Sequence, residues 1–244
     1  MRALDSVLSQ TLPPKEILLI DDASGDDSLD LLLDLERLYS PLLRVIALTE
    51  NSGPGLARNA GWDVATQPWL AFLDADDAWH PHKLEIQWRW LNAHPEVALC
   101  GHGTRLVTDS IREYPVELSP RATSLNLMKM LVSNRLPTRS VMLRRDLSFR
   151  FGGREVTEDY LLWLQIISAG IPACRLETPL ACSFRPEFSH GGYSGQLWTH
   201  EKRELSALQA LRTSGHLSWL AWAASSSWSL VKFLRRCWLI WGKS

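Results

Sequence analysis

Short apolar segments alternate with segments of helical periodicity in the first part of the chain. The apolar segments lie at residues 16–20, 44–48 and 69–73, and the helix-like segments lie at 27–39 and 56–65. Short apolar runs bounded by turn residues are typical of buried strands, and apolar residues three or four positions apart are typical of helices. The alternation predicts an α/β fold in which a mostly parallel sheet is flanked by helices.

Two of these predicted strands end in acidic residues. Asp21 and Asp22 follow the first strand, and residues 74–77 (DADD) follow the third. Because neighbouring parallel strands present their carboxyl ends at one edge of a sheet, we expect these acids to face one crevice. Carboxylates suit Mg²⁺ or Mn²⁺, which bind through one or two of them plus substrate phosphates. The pattern favours a metal–nucleotide site, whereas an isolated Asp-x-Asp is also typical of a turn that caps a helix.

A glycine-rich segment at residues 51–61 (NSGPGLARNAG) lies between the two acidic turns. Glycine permits close approach of a backbone, and the amino terminus of the following helix attracts an anion. Arg58 lies in the first turn of that helix. Asp22 can accept hydrogen bonds from a nucleobase or a ribose, with Ser24 shaping the turn. The other reading of this turn is a cap for the helix at 27–39.

The composition excludes several classes of protein. With 244 residues, 45% of them hydrophobic, the chain is long enough for one large globular domain. A net charge of −1 gives no reason to expect nucleic acid as a partner. The four cysteines form no CxxC pair, which favours reduced thiols and a cytoplasmic location. The amino terminus lacks the pattern of a secretory signal.

A second acidic pair begins a predicted helix in the second half. Thr157 is placed to cap a helix that runs to about Gly170, so that Glu158 and Asp159 lie in its first turn. Acids in a first turn are ordinary partners of the helix dipole. A carboxylate here is also a candidate general base for an acceptor hydroxyl.

These motifs together resemble the inverting family 2 glycosyltransferases, which have the GT-A fold. The resemblance rests on residues 20–24 (IDDAS), Asn51-x-Gly53 with residues 57–61 (ARNAG), and residues 72–77 (FLDADD) as the DXD motif. It extends from residue 1 to about residue 195. It implies a GT-A, Rossmann-like domain and transfer of a sugar from a nucleoside diphosphate sugar, in the first place a UDP-sugar, with inversion. The expected role is synthesis of a cell-envelope polysaccharide or glycolipid with a saccharide or lipid-linked acceptor.

The resemblance also implies roles for individual residues. Asp22 and Ser24 would contact the base side of the donor, Asp74 the ribose, and Arg58 the nucleotide. Asp76, with Asp74, would hold Mg²⁺ or Mn²⁺. Asp159 would be the catalytic base, and Glu158 beside it would contact the substrate. Arg185 and His190 lie in a segment similar to the loop that closes over the diphosphate, where they would contact phosphate and metal.

One departure from the family concerns the beginning of the chain. The family normally starts with an apolar strand, whereas this chain starts in the helix that should follow it. We therefore expect a mis-assigned start or a shortened form. Two alternatives stay open on the sequence: a nucleotidyltransferase, and a catalytically silent nucleotide-binding protein.

The carboxyl-terminal segment differs from the rest of the chain. Residues 1–200 are interpreted as the GT-A domain, with a nucleotide-binding half to about residue 115 and an acceptor half from 116, and 201–244 as a helical tail. The segment 217–244 contains five tryptophans and four of the 26 basic residues, but no acid. On a helix, one set of residues forms an apolar stripe, defined as Leu220, Ala224, Trp228, Val231, Leu234, Trp238 and Trp241. Lys232 and Arg236 lie on another face with Ser225 and Ser229. This pattern predicts a helix at residues 217–241 that lies on the cytoplasmic face of a membrane, with its cations reaching anionic lipid. The alternative is a helix packed on the catalytic domain or at a dimer contact.

Overall fold

The computed structural model describes residues 1–107, 114–184 and 197–241. The described helices are α1 (Arg2–Leu8), α2 (Ser28–Tyr39), α3 (Pro54–Val64), α4 (Lys83–Ala93), α5 (Leu127–Val132), α6 (Glu158–Ser168), α7 (Leu197–Thr213) and α8 (Trp219–Trp241). The described strands are β1 (Ile17–Asp21), β2 (Leu43–Ala47), β3 (Trp69–Ala71), β4 (Asp77–Trp79), β5 (Leu99–Leu106), β6 (Ala122–Leu125), β7 (Met142–Arg144) and β8 (Ala173–Ser183). A 3₁₀ turn, Thr138–Ser140, precedes β7.

The strands form two sheets with helices packed around them. β1 and β2 pair in parallel as a two-stranded sheet, and the other six strands form a second sheet in the order β3-β7-β5-β8-β4, with β6 also on β8. β8 is long enough to pair with β5 on one edge and with β6 and β4, end to end, on the other. The predicted α/β class, with helices flanking a sheet, is confirmed.

The pairing is mixed and not mostly parallel, which corrects one part of the prediction. β1–β2 and β5–β8 are parallel, whereas β3–β7, β4–β8, β5–β7 and β6–β8 are antiparallel. Parallel neighbours need a crossover of a dozen or more residues, usually through a helix. The strict alternation of strands and helices ends at β3, because β4 follows β3 with no helix between them. β1 and β3, expected as neighbours, lie in different sheets.

Helix α6 lies at the centre of the largest hydrophobic core. Eight of its residues are buried, including Trp163, which has no exposed surface. A helix that is apolar on nearly every side is buried on every side. Its neighbours in this core come from β5, β7, α5, α7 and the segment around Phe151. The amino terminus of α6, which carries the predicted base, is therefore held by the packing of the whole domain.

Several sequence predictions about single elements are confirmed with small shifts. The helices predicted at 27–39 and 56–65 are α2 and α3, and Gly170 ends α6 with a positive φ of 79°. Thr157 occupies the N-cap of α6, but its side chain makes no capping hydrogen bond there. All four cysteines are free thiols. The predicted boundary at residue 200 falls inside α7, whose buried face belongs to the central core.

Candidate active site

An ion pair joins two of the predicted site residues. Arg58, on α3, donates to Asp74, just beyond β3, with 2.5 Å between Nη2 and Oδ1. The Arg58 side chain is 18% exposed, so burial alone would lower its pKa. The carboxylates of Asp74, Asp159 and Glu158 outweigh that cost and raise the pKa of Arg58. The turn after β3, helix α3 and the start of α6 therefore meet around one guanidinium.

The start of α3 lies directly against the start of α6. A Cβ atom added at Gly55 would lie 2.3 Å from the carbonyl oxygen of Gly152 and 2.8 Å from Cγ of Glu158. No other residue type fits this approach without moving the backbone. Glu158 is buried, with 5% of its surface exposed. One function of the glycine-rich segment is thus to let the helix carrying Arg58 reach the helix carrying the acidic pair.

Asp159 is held from two sides at the start of α6. Its Oδ1 accepts the backbone N–H of Tyr160 at 2.7 Å, and its Oδ2 accepts the hydroxyl of Thr138 at 3.0 Å. Each carboxylate oxygen has two lone pairs, so both retain capacity for a further proton donor. Thr138 was not among the residues singled out from the sequence.

The acids after β1 serve their own loop and the glycine-rich loop. Both oxygens of Asp22 accept backbone N–H groups, from Ser52 at 2.7 Å and from Gly53 at 2.8 Å. Asp21 is buried and accepts the hydroxyl of Ser24 at 2.6 Å. Ser24 therefore shapes the turn, as the sequence suggested. Asp22 ties the end of β1 to the loop before α3, which is a positional role that the sequence did not predict.

The three acids of the DADD segment differ in their surroundings. Asp77 is 2% exposed and pairs with Arg139, with 2.7 Å between Oδ2 and Nη1. Burial raises the pKa of Asp77, with help from Asp74 and Asp76, although Arg139 opposes the shift. Asp76 is exposed, next to the partly exposed Asp74. Asp77 thus anchors the segment, while Asp74 and Asp76 remain accessible.

The carboxylates of Asp74 and Asp76 fit Mg²⁺ or Mn²⁺, the cations expected from the sequence. Within the described ranges, no group of three or more His, Cys, Asp or Glu side chains is arranged to hold a metal ion. Mg²⁺ commonly binds through one or two carboxylates and completes its shell with substrate phosphates and water. Asp74 and Asp76 supply hard oxygen donors of that number and type. When bound, such a cation neutralises charge on a leaving diphosphate.

Two further arginines contact segments of the candidate site. The sequence does not single out Arg139 or Arg154, because an isolated arginine forms no motif with its neighbours in the chain. Arg154 is exposed and donates to the backbone carbonyl of Asn51 at 2.9 Å, beside the glycine-rich loop. Arg185 and His190 lie outside the described residues.

The polar face of α8 packs on α7 and is not turned to solvent. Lys232 pairs with Glu204 at 2.7 Å, and Arg236 pairs with Glu201 at 2.8 Å. Ser229 is 1% exposed on the same face. The expectation that Lys232 and Arg236 reach lipid is therefore wrong, because two buried acids on α7 bind them. In the described part of the chain, no helix is both long and apolar enough to cross a membrane.

The apolar stripe of α8 lies on the opposite side of the helix. All of its described members are exposed, among them Leu220, Leu234 and Trp238 with 72%, 64% and 74% of their surface accessible. Trp228 donates its indole N–H to the carbonyl of Val132 on α5 at 3.0 Å. The exposed surface thereby continues onto Met128 and Val132 of α5.

The sequence matches a known protein family over two thirds of its length. The sequence model described as Glycosyl transferase family 2 matches residues 1–163. The amylovoran biosynthesis glycosyltransferase AmsE of Erwinia amylovora is 30% identical over 178 residues, which are 72% of this chain and 66% of AmsE. The UDP-Glc:alpha-D-GlcNAc-diphosphoundecaprenol beta-1,3-glucosyltransferase WfaP of Escherichia coli is 30% identical over 70% of this chain and 65% of its own length. The chain spans between about a quarter and two thirds of the curated relatives it matches.

Solved structures share the fold at low sequence identity, which confirms the predicted GT-A architecture. TarS of S. aureus, residues 1–349 in complex with UDP-GlcNAc, superposes with a TM-score of 0.68 at 19% identity, covering 96% of this chain and 67% of TarS. The mannosyltransferase PcManGT of Pyrobaculum calidifontis, in complex with GDP-Man and Mn²⁺, gives a TM-score of 0.61 at 19% identity. That alignment covers 86% of this chain and 59% of the mannosyltransferase.

Proposed function

Because the chain belongs to glycosyl transferase family 2, we propose that it transfers a sugar from a nucleoside diphosphate sugar to an acceptor hydroxyl with inversion. The observation that carries this proposal is that the carboxylates of Asp74, Glu158 and Asp159 surround the guanidinium of Arg58. Inversion needs a base on one side of the anomeric carbon and charge stabilisation of the leaving diphosphate on the other. The site offers both kinds of group.

The proposed division of roles follows from these contacts. Asp159, with one carboxylate oxygen on the hydroxyl of Thr138, takes the proton of the acceptor hydroxyl. Asp74 and Asp76 would hold Mg²⁺ or Mn²⁺, which would supply positive charge for the leaving diphosphate, and Arg58 orients Asp74 and contributes its own positive charge. Asp22 and Ser24 form the wall on the nucleoside side, where Asp22 orders the glycine-rich loop.

The donor is proposed to be a UDP-sugar. WfaP is a transferase named for UDP-Glc, and TarS was solved in complex with UDP-GlcNAc, which supports uridine over the guanosine of the GDP-Man bound to PcManGT. The acceptor is proposed to be a saccharide, free or lipid-linked, in the synthesis of a cell-envelope polysaccharide. The names of AmsE and WfaP, one a polysaccharide enzyme and one acting on a lipid diphosphate, support this class.

The first test is calorimetric titration of the chain with UDP, with and without Mn²⁺. We expect Mn²⁺-dependent binding. Asp76→Asn should abolish it, because half of the carboxylate pair is lost. Asp159→Asn should bind UDP normally but turn over at least about 100-fold more slowly, which is the lower range for loss of a general base. Equal loss of UDP binding in both variants would contradict this division of roles.

Contact with an anionic membrane is a second part of the proposal. The apolar stripe is exposed along α8, and the helix contains no acid, so its surface does not repel anionic lipid. Lys232 and Arg236 are paired internally, which leaves Arg235 as the exposed cation in the described part of α8. Tryptophan is well suited to the headgroup region of a bilayer. This surface would bring the site to a lipid-linked acceptor.

Co-sedimentation with phosphatidylglycerol vesicles tests the membrane contact. Leu234→Glu should reduce binding, because it places a charge in the middle of the stripe. Leu38→Glu is the matched control, since Leu38 on α2 is 71% exposed, against 64% for Leu234, and lies outside the stripe. If the wild type does not bind vesicles but forms a dimer that Leu234→Glu dissociates, the stripe binds a second copy of the chain and not a membrane.

A further inference from the structure

The 3₁₀ turn Thr138–Ser140 contacts both the candidate base and the DADD segment. It lies between α5 and β7, in a region where the sequence shows no recognisable motif. The Thr138 hydroxyl donates to Oδ2 of Asp159 at 3.0 Å, and the next residue, Arg139, donates to Oδ2 of Asp77 at 2.7 Å. Two adjacent side chains thus contact the candidate base and the DADD segment.

The turn itself is rigidly held. The indole N–H of Trp79 donates to the carbonyl of Arg139 at 2.9 Å, and the amide of Gln87 donates to the carbonyl of Ser140 at 3.0 Å. Thr138 is 7% exposed and Ser140 is fully buried. A segment with its carbonyls bound and its side chains buried holds its own residues in fixed orientations. It can therefore orient the groups that it contacts.

We propose that the 138–140 turn is a positioning element that sets the geometry of the base and of the cation-binding segment separately. Thr138 orients the Asp159 carboxylate, together with the backbone N–H of Tyr160. Arg139 holds Asp77, and through it the adjacent Asp76. The proposal rests on the proposed function, because it gives these residues a purpose only if sugar transfer occurs at this site.

The two residues should give different kinetic signatures. Thr138→Val removes the hydroxyl but keeps the shape of the side chain, so we expect kcat to fall about 10- to 100-fold with little change in UDP affinity. Thr138→Ser restores the hydroxyl and most of the rate. Arg139→Met leaves the Asp77 carboxylate buried without its partner, so we expect Mn²⁺-dependent UDP binding to weaken about tenfold or more.

A matched control separates positioning from general loss of a hydrogen bond. Thr123 on β6 donates its hydroxyl to the Glu177 carboxylate at 2.5 Å, which is the same type of bond on a strand that carries none of the proposed site residues. Thr123→Val should leave both kcat and UDP affinity unchanged. Arg139→Lys keeps a cation and serves if Arg139→Met does not fold, with a smaller loss of UDP affinity expected.

The experiment measures UDP binding by calorimetry, UDP release from UDP-glucose and UDP-GlcNAc, and thermal unfolding for each variant. If Thr138→Val and the control Thr123→Val have the same kcat, the positioning role of Thr138 is overturned while the proposed function stands. If Thr138→Val and Arg139→Met lose UDP affinity to the same extent, the separate roles of the two residues are overturned, and the proposed function again stands. A wild-type chain that neither binds UDP with Mn²⁺ nor releases UDP would overturn the proposed function, and this inference with it.

Discussion

The ion pair between Lys232 and Glu204 predicts how firmly α8 is attached to the domain. The pair has 2.7 Å between Nζ and Oε1, and the two side chains keep 26% and 10% of their surface. Exposed pairs contribute about 0–1 kcal/mol, and breaking a fully buried pair costs about 3–5 kcal/mol. Arg236 lies 4.0 Å from the other oxygen of Glu204 and offsets part of the loss. Lys232→Met should therefore destabilise the chain by about 2 kcal/mol.

Thermal unfolding at neutral pH measures this effect. In a chain of this size, 1 kcal/mol shifts Tm by about 2–4 °C, so Lys232→Met should lower Tm by about 4–8 °C. Arg235→Met is the matched control, because Arg235 is an exposed cation three positions further along the same helix. Its Tm should change by less than about 2 °C. An equal shift in both variants would refute the reasoning that Lys232 is bound by α7.

The pH dependence provides a second check on the same pair. Burial opposes ionisation of Glu204, but Lys232 and neighbouring groups more than compensate, so the pKa of Glu204 lies below its ordinary value of 4.5. A carboxyl with a lowered folded-state pKa contributes its stability above the unfolded-state value and loses it as the pH falls through the folded-state value. The Tm difference between wild type and Lys232→Met should thus be largest above about pH 5 and should shrink below pH 4.5. A difference that grows on acidification would contradict the pairing.

Two further substitutions test other contacts. Gly55→Ala should reduce both Tm and turnover, because the added methyl group meets Glu158 and the backbone of Gly152. Gly25→Ala is the control and should leave turnover unchanged, because no atom lies within 4 Å of the added methyl group. Thermal unfolding measures Tm, and UDP release measures turnover. Lys83 is fully buried against the ring of Trp79, and its Nζ has no hydrogen-bond partner among the described residues. Burial lowers its pKa well below 10.5. Lys83→Met should raise Tm at pH 7, and the gain should diminish as the pH rises towards 10.5, because the wild-type chain then no longer has to lose a proton on folding. A lower Tm for Lys83→Met at pH 7 would show that the ammonium has a stabilising partner.

Much of the first half of the fold was accessible from the sequence. The strands and helices up to α4 have period-specific patterns, and the acids at the ends of two strands stand out by type and spacing, although β1 and β3 lie in different sheets. Local patterns of this kind act over a few residues and survive in any tertiary context. The position of Asp159 at a helix start was therefore predicted from the sequence, whereas the ion pair between Arg58 and Asp74 was not.

The sheet topology after α4 depended on contacts distant in sequence. β8 pairs with β4, β5 and β6, which lie between about 50 and 105 residues earlier in the chain. Strand direction in such pairs is set by loops that carry no directional signal of their own. For this reason the pairing is mixed where the sequence predicted a mostly parallel sheet.

The amphipathic pattern of α8 was determined by the sequence, but the direction in which each face points was decided only by the tertiary structure. A helical wheel identifies the apolar stripe and the face of Lys232 and Arg236, but it contains no information about what lies beside the helix. Glu201 and Glu204 on α7 turn the polar face inward and leave the stripe exposed. The same limit applies to Thr138 and Arg139, whose partners Asp159 and Asp77 are 21 and 62 residues away. Residue types and their spacing are local properties of a chain, whereas the partner of a charge or a hydroxyl is known only once the chain has folded.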